Sequence, residues 1–79
     1  MSATLLFLGR LEDAAGTAEL AVAAGPLETV LASLDPQLAI ALLDERVRFA
    51  LNGTLIGERG DVVLADGDEL AFLPPVSGG

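Results

Sequence analysis

Residues Thr4-Leu5-Leu6-Phe7-Leu8-Gly9-Arg10 form an apolar run with no polar alternation between Leu5 and Leu8. A strand of this kind carries apolar side chains on both faces, the pattern of a central strand with neighbours on either side. A chain of 79 residues that must surround such a strand has room for one small core and no second domain. The core has to be apolar, because the sequence contains neither Cys nor His. Disulfides, zinc sites, thiol nucleophiles and Ser–His pairs are excluded together. Hydrophobic residues are 52% of the chain and charged residues 20%, which favours a folded domain over a disordered one.

The remaining pattern divides into short elements. Residues 12–17, with two Ala and Gly16, read as a turn, and residues 18–23 as a return strand with Leu20 and Val22 on one face. Gly25-Pro26 opens a helix, with Pro at a first helical position. Leu27, Val30, Leu31 and Leu34 follow at helical spacing and form one apolar stripe. Asp35-Pro36 interrupts it, and a second short helix is expected over residues 37–43 with Leu38 and Leu42 inward. Arg46-Val47-Arg48-Phe49-Ala50-Leu51 alternates, so Val47, Phe49 and Leu51 face the core and both arginines face out. Asn52-Gly53 marks a hairpin turn, since both residues tolerate positive φ, and Leu55 and Ile56 begin the partner strand. Residues 57–60 and 65–68 read as turns. Glu69-Leu70-Ala71-Phe72-Leu73 is the last strand, ended by Pro74-Pro75, which cannot donate to a ladder. The resulting order is strand, strand, helix, strand, short strand, strand.

Charge narrows the class of partner. Twelve acids against four arginines give −8, which repels phosphate backbones and anionic membranes and suits a basic protein surface. No apolar run approaches the ~18 residues of a membrane span, and no basic leader precedes the first strand, so a cytoplasmic chain is expected. Asp61, Asp66, Asp68 and Glu69 lack the spacing of a calcium loop and read as turn residues, so no metal site is expected. Gly57-Glu58-Arg59-Gly60 lacks the Lys-Ser/Thr partner of a phosphate loop. Arg46 and Arg48 are read first as solvated residues of an outer face, although two guanidinium groups can also grip a carboxylate or phosphate.

The most specific chemistry lies in Phe72-Leu73-Pro74-Pro75-Val76-Ser77-Gly78-Gly79. Pro-Pro stiffens the base of this segment in an extended form. The two glycines have no Cβ, so a terminal carboxylate can enter a channel that any side chain would block. That carboxylate is the one reactive group such a tail offers. It is a poor electrophile until adenylation supplies a leaving group. A sulfur nucleophile can then displace the adenylate and leave a thiocarboxylate, which is itself a nucleophile. Residues 1–73 are thus expected to form the domain and residues 74–79 an extended tail.

The block Asp66-Gly67-Asp68-Glu69-Leu70-Ala71-Phe72-Leu73-Pro74-Pro75-Val76-Ser77-Gly78-Gly79 closely resembles the C-terminus of the small subunits of molybdopterin synthases. Residues 47–52 and the opening strand followed by Gly16-Thr17 fit the same pattern. The resemblance implies an α+β, β-grasp (ubiquitin-like) fold, with a mixed sheet packed on a helical crossover and its first and last strands adjacent and parallel. It implies a sulfur carrier of molybdenum cofactor biosynthesis. An adenylyltransferase related to ubiquitin-activating enzymes would adenylate Gly79 with ATP and magnesium, and a sulfur donor protein would complete the thiocarboxylate. The chain itself would hold no cofactor and would not be catalytic alone. The tail would enter the large subunit of the synthase, in a heterotetramer of two small and two large subunits, and there give up sulfur to a cyclic pyranopterin precursor. Carried over by position, Gly79 bears the chemistry and Gly78 keeps the tip thin. Leu73, Pro74, Pro75, Val76 and Ser77 form the docking tail, and Leu55 and Leu8 match apolar positions of the body contact. The family often has Arg after the first strand where this chain has Glu12.

Three other readings share these residues. A sulfur carrier for thiamine synthesis has the same fold and the same Gly-Gly end. A ubiquitin-like modifier would instead form an isopeptide through Gly79. A plain interaction module would carry an inert tail.

Overall fold

In a computed structural model, which describes residues 1–57 and 61–75, the opening run becomes strand β1 (Ser2–Phe7). It is a central strand, as its composition requires. Strand β2 (Glu19–Ala23) pairs antiparallel on one side, and β7 (Glu69–Leu73) pairs parallel on the other. Strand β4 (Arg48–Leu51) continues the sheet antiparallel to β7, and β5 (Thr54–Ile56) closes it, giving the order β2-β1-β7-β4-β5. The Asn52-Gly53 turn between β4 and β5 has positive φ at both residues, 49° and 87°, the requirement of a type I′ hairpin.

Burial alternates along every inner strand. Ala3, Leu5 and Phe7 are buried, and so are Leu70 and Phe72 of β7 and Phe49 of β4. These residues share one face, which is covered by three helices. Helix α2 (Leu27–Ala32) supplies Leu27, Val30 and Leu31, and α3 (Pro36–Leu42) supplies Leu38 and Leu42. Helix α1 (Arg10–Ala15) adds Leu11. Val47, Val62 and Leu64 complete the core, with Leu20, Val22, Leu34, Leu51 and Ile56 half-buried against it. Three aromatic rings run across its middle. Phe7 stacks on Phe72 with centroids 5.5 Å apart, and Phe49 meets Phe72 edge to face at 5.0 Å.

Several local expectations are corrected. The opening run is not strand up to Arg10: β1 ends at Phe7, and Gly9 starts a helix. It is also covered fully on one face only, since Thr4 and Leu6 are half-buried while their neighbours are buried. The segment 12–17, expected as a turn, lies largely within α1. The Leu, Glu and Ala residues of α1 are good helix formers, and Gly16 ends the helix in the left-handed conformation, its N–H donating to the Glu12 carbonyl. Pro26 caps α2 from outside, and Gly25-Pro26 pairs with Val63–Leu64 as a two-stranded ribbon, β3 with β6. The stripe residue Leu34 lies past the end of α2. Helix α3 begins at Pro36, where the Asp35 carboxylate accepts from the Gln37 and Leu38 N–H groups.

Candidate functional site

The helices leave the second sheet face open. Reading across the ladders, Leu6 of β1 lies beside Ala71 of β7, which lies beside Ala50 of β4, which lies beside Leu55 of β5. Four small or apolar residues therefore form a row across four strands, about 14 Å long at the usual strand spacing. Leu73 and Arg48 stand opposite each other in the next row. Leu8 extends the β1–β7 ladder there, its N–H donating to the Phe72 carbonyl at 3.2 Å. Leu8 is 44% exposed and Leu55 is 65% exposed, so two large apolar side chains on or beside this face present apolar surface to solvent.

The tail leaves from the same end. Phe72 is fully buried between Phe7 and Phe49, which fixes β7 up to the last residue before the prolines. Leu73, Pro74 and Pro75 are each half-buried, so the base of the tail still rests on the body. Pro74 lies against Gly9. A Cβ built on Gly9 would stand 2.9 Å from the Pro74 Cγ, and Gly9 has φ +55°, so two independent constraints call for glycine. Pro74 and Pro75 also form one wall of an open cleft of about 510 Å³, which among the described residues is lined further by Glu45, Arg46 and Arg48. Arg46 is held by Asp44 in a two-bond fork, with Nε to Oδ1 at 3.2 Å and a terminal nitrogen to Oδ2 at 2.9 Å. That fork raises the Arg46 pKa further above its ordinary value.

The structure thus places Leu8, Leu73, Pro74 and Pro75 at the end where β7 stops, and Leu55 one row back on the open sheet face. Val76, Ser77, Gly78 and Gly79 lie outside the described residues. Gly9 was missed as a positioning residue, because the run around it reads as strand. Its signal was a lone glycine interrupting that run just before Arg10.

The acids at the opposite end have structural work. Asp66 Oδ1 accepts from the Ser2 N–H at 2.8 Å. Asp68 Oδ2 accepts from the Ala65 N–H, its Oδ1 accepts from the Asn52 amide, and the Asn52 oxygen accepts from the Glu69 N–H. The Ala65 bond, and after it the Asn52 bond, hold the Asp68 carboxyl below its ordinary pKa. Among the described residues no group of acids is arranged to hold a metal ion, and no helix is long and apolar enough to cross a membrane.

Comparison with known proteins places this architecture. The ThiS family model matches residues 5–79. The chain belongs to the ThiS family. It resembles the molybdopterin synthase sulfur carrier subunit of Escherichia coli (strain K12), to which it is 38% identical over 80 aligned positions, covering 95% of this chain and 96% of that one. The chain also superposes on the small archaeal modifier protein 1 of Methanosarcina acetivorans with a TM-score of 0.80, at 32% identity and coverage of 99% and 96%. It superposes on a chain from the complex of subunits 1 and 2 of the molybdopterin-converting factor of Helicobacter pylori 26695 with a TM-score of 0.68, at 26% identity over all of both chains. The fold is the β-grasp, as the resemblance implied.

Proposed function

We propose that this chain is a sulfur carrier for molybdopterin synthesis, working through the carboxylate of Gly79. The identity to the E. coli sulfur carrier subunit along nearly the whole chain carries this reading. The chemistry has four steps. A carboxylate oxygen attacks the α-phosphorus of ATP, held with magnesium by the activating adenylyltransferase, and pyrophosphate leaves. Sulfide released by a donor protein adds to the acyl carbon, and AMP departs with the C–O bonding pair. The resulting thiocarboxylate sulfur forms a C–S bond to a carbon of the cyclic pyranopterin precursor, displacing an oxygen substituent that leaves with the C–O bonding pair. Water then cleaves the thioester, returning the Gly79 carboxylate and leaving sulfur on the precursor.

The chain's part is delivery. The Pro74-Pro75 base aims the tail, and Leu73 through Gly78 would line the channel of the large subunit. Leu8 and Leu55 are the exposed apolar residues available for the body contact beside that channel. The catalytic side chains would belong to the large subunit, in an assembly of two small and two large subunits. The structure from H. pylori, a complex of subunits 1 and 2, supports a large-subunit partner.

A second reading has its own observation. The superposition on the small archaeal modifier protein 1 favours a ubiquitin-like modifier joined to lysines through Gly79. Both readings begin with the same adenylate, and they part when sulfur or an amine takes the acyl group.

Intact-mass measurement after incubation with the activating enzyme, ATP and a sulfur source tests the proposal. The expected result is replacement of one oxygen by sulfur, confined to the C-terminal peptide, followed by precursor conversion when the large subunit is added. An unchanged mass, with the activating enzyme active on another carrier, would refute it. Isopeptide conjugates in cell extracts without sulfur loading would favour the modifier.

A further inference from the structure

The cleft at the root of the tail has a charged wall that the delivery of sulfur does not use. Of its two arginines, Arg46 is already engaged by Asp44. Arg48 is exposed, and among the described residues no hydrogen bond or ion pair engages it. It stands opposite Leu73 in the β4–β7 ladder and lines the cleft together with Pro74 and Pro75. In a chain of net charge −8, an exposed guanidinium that no described residue engages thus lies at the root of the tail.

We infer that this cleft is a carboxylate-recognition subsite, in which Arg48 binds an Asp or Glu side chain of the tail-receiving large subunit. The inference rests on the proposed docking of the tail and adds the chemistry of the receiving surface. A guanidinium presents a planar fork of N–H donors that matches the two oxygens of a carboxylate. The Pro74 and Pro75 rings wall one side of the cleft with apolar surface, which lowers the local dielectric and strengthens the pair once the partner covers the other side. Glu45 sets one negative charge on the same lining. That charge opposes further negative charge, so the subsite disfavours a polyanion such as nucleic acid. Because Pro74 and Pro75 belong to both tail and cleft, pairing at Arg48 and entry of the tail occur in one docking event. The chain's overall acidity calls for a basic partner surface, so an acidic residue at this one point would fix the register of docking.

The test is calorimetric binding of the chain, and of its Arg48→Ala and Arg48→Glu variants, to the large subunit from the same organism at low and high salt. Charge reversal is expected to weaken binding about tenfold or more and truncation about threefold, with the gap narrowing at high salt. Melting temperatures should stay unchanged, because the side chain is exposed. An Asp→Arg or Glu→Arg substitution at the channel mouth of the large subunit should restore binding to Arg48→Glu. Binding of Arg48→Glu within twofold of the unsubstituted chain would overturn the inference. So would equal, salt-independent losses for both variants, which would mean packing by the arginine stem. Failure of the unsubstituted chain to bind would refute the large-subunit reading itself, and this subsite with it.

Discussion

Gly9 and Pro74 are in van der Waals contact, and the contact leaves no room for a side chain at Gly9: a Cβ there would lie 2.9 Å from the Pro74 Cγ. Gly9 also sits at φ +55°, ψ −132°, a region closed to most L-residues. Gly9→Ala should therefore destabilise the fold by about 1–3 kcal/mol. It should also displace Pro74 and slow sulfur loading beyond what the lost stability explains. Pro74→Ala removes the ring atoms in the way, so the double variant should recover part of the loss, with a coupling of about 0.5–3 kcal/mol. Urea melts of the four proteins measure it, and strict additivity would disprove the contact's role.

Phe72 is fully buried and touches both other aromatic rings. Truncating it leaves a cavity at the centre of the sheet. Phe72→Ala should cost about 3–5 kcal/mol, enough to unfold much of a small domain. Phe72→Leu should keep the fold at a smaller loss, detectable as a lower urea midpoint. A near-neutral Phe72→Ala would mean that the core collapses around the site.

Asp68 links stability to pH. Its folded-state pKa is lowered by the Ala65 N–H and then by the Asn52 amide, while its unfolded value is about 4. A depressed carboxylate contributes stability that is complete above the unfolded value and is lost as pH falls through the folded one. Asp68→Asn should lower the melting temperature at neutral pH, and the difference should shrink in acid. A difference that stays constant from pH 7 to pH 2 would show that charge at Asp68 is irrelevant.

Leu8 and Leu55 are exposed, so replacing them should leave the melt unchanged while weakening the partner contact. Leu55→Asp places a charge in a contact proposed to be apolar and should reduce affinity for the large subunit about tenfold or more. Leu8→Ser should cost less. Sulfur loading by the activating enzyme, measured separately by mass, tells whether one surface serves both proteins.

Periodicity was readable where burial is one-sided. The stripe Leu27, Val30 and Leu31 and the alternation Val47, Phe49 reproduce the buried set, and Asn52-Gly53 adopts the turn that its residues favour. Helix α1 was hidden because six residues with one buried side chain, Leu11, do not complete a helical repeat. The β3–β6 ribbon was hidden because two residues per strand have no period. The opening run was read as apolar on both faces, and its Leu6 belongs to the open face, where apolar character serves a surface that a partner could cover. At the site, the prolines and terminal glycines were legible from their chemistry alone. The fit of Gly9 against Pro74 joins the two ends of the chain, and no local pattern reports it.

The placement of β7 between β1 and β4 has a mechanical consequence. A tail threaded into a channel and later withdrawn is a handle on which force acts. Tension on Pro74 passes directly into β7, along the strand axis. Both flanking ladders then resist in shear, with their hydrogen bonds loaded together instead of one at a time. An edge strand such as β5 would peel from the sheet under the same pull. The body should therefore survive repeated insertion and release with its fold intact, and single-molecule pulling from residue 75 should show a higher rupture force than pulling from β5.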